Sequence, residues 1–249
     1  MTKRALRIAA TADLHYGKHS RGTLHEAFAE ISNIADILLL CGDLTDYGLP
    51  EEAEALVADI RSAVKIPILA VLGNHDFESG QAALVSKVLD DAGVNVLDGE
   101  AIEVSGVGFA GVAGFGGGFG RRMLNAWGEP LIKQFVQESI SHAVRLEQAL
   151  TKLQTERRIV VLHYSPIRDT LKGEDPEIFA FLGSSRLEEP INRFRVDAVF
   201  HGHAHNGILD GKTSTGIPVY NVSAPALHKT GKPYRIIELQ GDRGVLPSV

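Results

Sequence analysis

The sequence predicts an α/β protein whose two mixed sheets pack face to face. Three observations support that fold class. Short apolar runs alternate with helix-like segments through most of the chain, which implies crossover units. Those runs are continuous in Ile, Val and Leu rather than alternating, the pattern of strands buried on both faces. Two further stretches, 94–113 and 217–239, carry short alternating strands with glycine turns and no clear helix between them, and so predict antiparallel additions that divide the strands between two sheets. A chain of 249 residues, 44% hydrophobic and 22% charged, can bury a sizeable core and is read as one domain over 1–249.

The first run, LRIAA at 6–10, leads into TADLH, and a helix-like segment follows at 23–35. ADILLL then enters CGDLTD, and Pro50 opens the helix-like segment at 50–64, where a proline suits a helix start. IPILAVL enters GNHD, and the segment at 79–93 closes on Gly93, which suits a helix end. The longest helix-like segment spans 130–154; beyond it RRIVVL enters HYSP and VDAVF enters HGHAH. Each run therefore meets a glycine or a metal-capable side chain at its carboxyl end. In open α/β sheets ligands sit outside those ends, so clusters spread from residue 13 to residue 205 are expected to converge.

A formal net charge of −6 argues against a broad basic surface for duplex nucleic acid or an anionic membrane. A small anionic substrate stays compatible, because bound metal ions supply local positive charge. The apolar stretch of MTKRALRIAATADLH is interrupted by Asp13, too early for a secretory signal, and no later run is long enough to span a bilayer. The expected location is cytoplasmic. The single cysteine, Cys41, excludes an intramolecular disulfide, and its setting in ADILLLCGD reads as a small interior residue rather than a reactive thiol.

The strand-end clusters supply Asp13, His15, Asp43, Asp46, Asn74, His75, Asp76, His163, His203 and His205. Oxygen and imidazole donors without thiolate disfavour a structural zinc finger and favour manganese, iron or catalytic zinc. There are more donors than one ion needs. Two ions about 3.5–4 Å apart lower the pKa of a bridging water and clamp a phosphoryl oxygen during in-line attack. Phosphate esters need that help, since their uncatalysed hydrolysis is extremely slow. His75 suits protonation of the leaving oxygen if it lies beside the metals, with Asp46 orienting its other ring nitrogen.

Taken singly, each of these histidines fits an ordinary strand-end loop; taken together, compatible donors at one sheet edge point to a metal centre. His19, His25, His142 and His228 receive no place in it. GVGFAG at 106–111 matches a dinucleotide-binding pattern, but no helix follows promptly, so the match is attributed to chance within a glycine-rich strand. The glycine loop at 114–122 ends in Arg121 and Arg122 and fits either closure over a phosphate or a mobile surface loop with solvated arginines. Arg168 has the same two readings.

In order, DLH at 13–15, GDLTD at 42–46, GNHD at 73–76, a lone His163 after a strand and GHAH at 202–205 resemble the calcineurin-like metallophosphoesterase superfamily. The resemblance spans most of the chain and implies a four-layer α/β/β/α sandwich. It further implies that Asp13, His15, Asp43 and His205 bind one metal and that Asn74, His163 and His203 bind a second. Asp43 would bridge them and His75 would serve the leaving group. His201 has no counterpart and reads as the end of its strand.

Departures narrow the branch. Protein serine/threonine phosphatases carry an arginine after the second Asp of GDxxD and typically GNHE, where this chain has Tyr47 and GNHD. Purple acid phosphatases lack the His of DxH and place a tyrosine where Asp46 stands. GDLTDYG with GNHD is more similar to bacterial phosphodiesterases of the cyclic-nucleotide type. The resemblance thus implies two metal ions and hydrolysis of a small phosphodiester or phosphomonoester by a metal-bridging hydroxide. Two alternatives are a nuclease on short nucleic acid, which needs a basic groove not evident here, and a non-catalytic protein-interaction scaffold, which would be expected to lose ligands or His75.

Overall fold

A computed structural model describes residues 5–239; the basic start at 1–4 and the stretch 240–249 lie outside the described residues. The continuous apolar runs form the central strands, as their composition requires. In the first sheet β1 (Leu6–Thr11), β2 (Ile37–Cys41), β3 (Ile68–Val71) and β4 (Val94–Val96) run parallel, with β11 (Arg235–Leu239) antiparallel on the β1 edge. In the second, β6 (Val107–Gly111), β7 (Arg157–Val161), β8 (Ala198–His201) and β10 (Pro218–Asn221) run parallel. Its edges, β5 (Glu100–Val104) and β9 (Asp210–Lys212), are antiparallel.

Period-two geometry splits each strand between two buried layers. Along β2, Ile37, Leu39 and Cys41 face Phe109, Ile159, Val161 and Phe200 of the other sheet. Leu38 and Leu40 instead join Phe28 and Ile31 of α1 (His25–Ile34), Leu56 and Ile60 of α2 (Pro50–Ala63) and Val85 and Leu89 of α3 (Ala82–Asp90). On the far side Val160 and Val199 pack on Leu146 and Leu150 of α4 (Pro130–Lys152) and Ile191 of α6 (Glu188–Arg193). The result is the four-layer α/β/β/α sandwich, with mixed sheets at its centre. Each fully buried aliphatic side chain in these layers contributes about 1.5–3 kcal/mol.

Two expectations change. β4 is not an antiparallel addition: α3 carries the chain back across the sheet, so Val94 pairs parallel beside Ile68; β6 and β10 likewise pair parallel with β7 and β8, and a short helix at Ala224–Leu227 interrupts the 217–239 stretch. Two short helices, α5 (Phe179–Leu182) and α6, and the polar edge strand β9 carry too little periodic signal to be read in advance. Cys41 is fully buried between the sheets, where burial pushes its thiol well above the ordinary value. Among the described residues no helix is long and apolar enough to cross a membrane.

Candidate metal centre and active site

Strands β1, β2 and β3 of one sheet and β7 and β8 of the other end at one edge of the sandwich, and the loops that follow them hold every predicted site residue. Backbone bonds extend the ladder past the strand ends: Asp13 N donates to Gly42 O at 2.9 Å and His15 N to Asp43 O at 3.1 Å. The turns are tight and strained. Of six non-glycine residues with positive φ among those described, four are Asp13 (56°), His15 (44°), Asp43 (49°) and His203 (68°). Such conformations cost about 1–3 kcal/mol each and persist only where the surroundings over-determine them.

The glycines of the motifs follow from the same crowding. A Cβ on Gly202 would lie 2.6 Å from Asp13 Oδ2, and one on Gly73 would overlap Asp43 Oδ1. Any larger residue would push a carboxylate out of place.

Carboxylates tie the loops together. Asp43 Oδ1 accepts from His75 N at 2.8 Å, and Asp13 accepts from His203 N at 2.9 and 3.0 Å. Asp76 is fully buried and accepts from Gly73 N at 2.8 Å, Thr45 N at 2.8 Å and Thr45 Oγ1 at 2.6 Å. The last residue of GNHD therefore clasps the GDLTD loop and takes no place among the donors. Glu52, at the start of α2, accepts from Tyr47 N at 2.8 Å and Leu49 N at 3.2 Å, which fixes the far end of the same loop.

The donors gather in three overlapping groups whose atoms lie within 4.8 Å of one another: Asp13, His15, Asp43 and His205; Asp43, His163 and His203; and His15, Asp46 and His75. Asn74 joins the second group, its Oδ1 2.9 Å from His163 Nε2. Second contacts set the imidazole tautomers. His163 Nδ1 donates to Cys41 O at 3.0 Å and turns Nε2 inward, while His203 Nε2 donates to Phe181 O at 3.3 Å and leaves Nδ1 as its free lone pair. His75 Nδ1 donates to the Asp46 carbonyl at 2.7 Å. The orienting group is thus the Asp46 backbone; its carboxylate lies 3.7 Å from His15 Nδ1 instead.

The edge favours positive charge. Burial opposes ionisation of Asp43, yet the adjoining His163 outweighs it and holds the carboxyl well below its ordinary range. Burial also pushes His163 down, but Asp43 Oδ1 at 3.4 Å outweighs that and raises the imidazole to about 9. Burial, joined by the charge of His163, lowers His203 to about 3, so it stays neutral with a lone pair to offer. His15 Nε2 is buried without a hydrogen-bond partner. Two buried carboxylates, the His203 lone pair, a His163 Nε2 that a cation can deprotonate and the orphaned His15 nitrogen make a donor set suited to divalent cations.

Residues 6–207 match the calcineurin-like phosphoesterase family. The chain belongs to that family. Its members are metal-dependent phosphoric ester hydrolases, in keeping with the donors gathered here. None of the curated proteins matches the sequence. Among solved structures it is similar to phosphopantetheinyl hydrolase from Mycobacterium tuberculosis, with TM-score 0.67 and 14% identity over 94% of this chain and 96% of that one. A putative 5'-nucleotidase from Staphylococcus aureus aligns with TM-score 0.53 and 15% identity over 87% of this chain but 48% of its own. GAP50, the anchor in the inner membrane complex of Plasmodium, aligns with TM-score 0.53 and 15% identity over 90% and 73%. At such identities the likeness is one of fold.

Other sequence candidates fall outside the centre. His201 ends β8 fully buried, Nδ1 donating to Gly202 O at 2.7 Å and Nε2 2.9 Å from the Thr170 hydroxyl, and burial lowers it to about 4. Arg121, Arg122 and Arg168 line a different cleft of about 590 Å³ with Lys212 and none of the donors. GVGFAG forms β6, with no helix behind it. Asn221, whose Nδ2 donates to Ala204 O at 2.7 Å, steadies the GHAH loop; nothing about an isolated asparagine at the end of a strand could have announced it.

Proposed function

We propose that the chain hydrolyses a small phosphodiester or phosphomonoester at a pair of cations held at this edge. Asp13, His15, Asp43 and His205 would hold one, and Asn74, His163 and His203 the other, with Asp43 common to both. Manganese, iron or zinc suits the oxygen and imidazole donors. When bound, such a pair supplies Lewis-acid charge to the phosphoryl oxygens and activates water near neutral pH. The observation that supports the reading is the membership of Asp43 in two of the donor groups, so that one carboxylate could serve two cations.

The chain's own groups do the rest. Asp43 fixes His75 through the backbone amide, and the Asp46 carbonyl holds the Nδ1 proton, so a second proton carried on Nε2 in the imidazolium form is the one given to the leaving oxygen, which leaves the neutral Nδ1–H ring. Motif turns of strained backbone keep the donors in place before substrate arrives. Every donor position being filled supports catalysis over a scaffold role, and the acidic chain supports a small substrate over a nuclease's extended one. Turnover of bis(4-nitrophenyl) phosphate with manganese, abolished by a chelator, is the expected result. Absence of turnover of this diester and of 4-nitrophenyl phosphate, with manganese, iron and zinc alike, would refute the reading.

A further inference from the structure

Directly beside Asn74 the surface falls into a cleft of about 300 Å³, bordered by Gly73 and Asn74 of GNHD and by the start of the glycine loop. Its walls are aromatic. Phe115 and Tyr164 pack with ring centroids 5.8 Å apart, and Tyr164 lies 4.6 Å from His203, so this wall is continuous with the donor cluster. Phe77, two residues past His75, lines the same cleft but is 50% exposed and has no aromatic neighbour among the described residues.

Besides Asn74 and Tyr164, the polar lining comes from α4. His142 stacks on Phe115 at 6.0 Å and 13° and is already paired to Glu138 Oε1 at 3.2 Å. The Glu138 side chain is 52% exposed and keeps acceptor capacity to spare. No lysine or arginine lines the cleft. It is the chemical opposite of the arginine-lined cleft, and a second phosphate on the substrate would be repelled from it by Glu138.

We propose that this cleft receives the organic substituent of the phosphoester, and that the substituent is a flat aromatic ring bearing a hydrogen-bond donor for Glu138. The assignment rests on the reading of the adjoining donors as the catalytic centre. Phe77 is the stacking platform, left uncovered because its partner is the ligand's ring. An aryl alcohol and a nucleobase share this chemistry, and 4-aminophenol and adenosine separate them.

Binding of both probes to the zinc-loaded full chain is followed by saturation-transfer NMR, and a manganese-loaded sample reports kcat/KM for phenyl phosphate and for glycerol 3-phosphate. Phe77→Ala, at an exposed position, is expected to weaken ring binding about tenfold. It should lower the preference for phenyl phosphate over glycerol 3-phosphate by a similar factor. Glu138→Gln should weaken binding about threefold through the lost charge-assisted bond. Binding of 4-aminophenol alone identifies an aryl alcohol and binding of adenosine a nucleobase; either supports the proposal. Binding of neither probe, or binding and preference unmoved by Phe77→Ala, overturns it. Phe77-dependent ring binding in a protein that hydrolyses no ester would refute the phosphoesterase reading and leave the ring site standing.

Discussion

The two halves of the donor cluster are built differently although they share Asp43. His163 and Asp43 are 0% and 1% exposed at the side chain, and Asn74 and the Cys41 carbonyl hold the imidazole from both ends. The other half is open on its imidazole side: Asp13 is buried, but the His205 side chain is 39% exposed, and His15 meets the His75 and His205 rings edge-on at 4.4 and 5.4 Å. A buried half cannot adapt without stranding charge, whereas a solvated half can exchange its contents. The inner site should therefore be the rigid, tightly occupied one and the outer site the labile one.

The harshest break of that contrast is Asp43→Asn, which removes what the halves have in common. Metal content by plasma mass spectrometry should fall at both sites and turnover should vanish with it. If one cation persisted at full occupancy, Asp43 would belong to one site only.

His75→Ala tests a residue between the halves that, on the proposed reading, holds neither cation. Metal content should be unchanged while turnover of esters with poor leaving groups drops roughly 10²–10⁴-fold. Metal loss in that variant would move His75 into the ligand set.

Stability separates the halves directly. In metal-free protein His163→Ala strands the buried Asp43 carboxylate and should cost about 3–5 kcal/mol in urea unfolding. His205→Ala removes the exposed partner of a buried Asp13 carboxylate that keeps its two bonds from His203 N, and should cost less, about 1–2 kcal/mol. Equal costs would erase the distinction.

The smallest effect is one of pH. His163 is raised from 6.5 to about 9 in the folded, metal-free chain, so its pairing with Asp43 contributes fully below pH 6.5 and is lost as pH rises through about 9. Melting temperature should decline across that window, and His163→Gln should flatten the decline.

What the sequence disclosed and what it withheld follow one physical line. Continuous apolar runs announced β1, β2, β3, β7 and β8, because a strand buried on both faces has no polar alternation. Donors next to such runs announced the cluster, since chemistry concentrates at strand ends. Asp76 was hidden because its residue type suits a ligand and only its four donors show a clasp. Phe77, Glu138 and His142 were hidden because a cleft arises from segments that no motif links. The direction of β4 depended on α3 crossing the sheet, which three residues cannot encode.

The central claim is tested most directly by diffraction from crystals grown with manganese, using the metal's anomalous signal. The account predicts two peaks flanking Asp43, one among Asp13, His15 and His205 and one among Asn74, His163 and His203. A single peak away from Asp43, or no peak at all with these side chains turned apart, would contradict it.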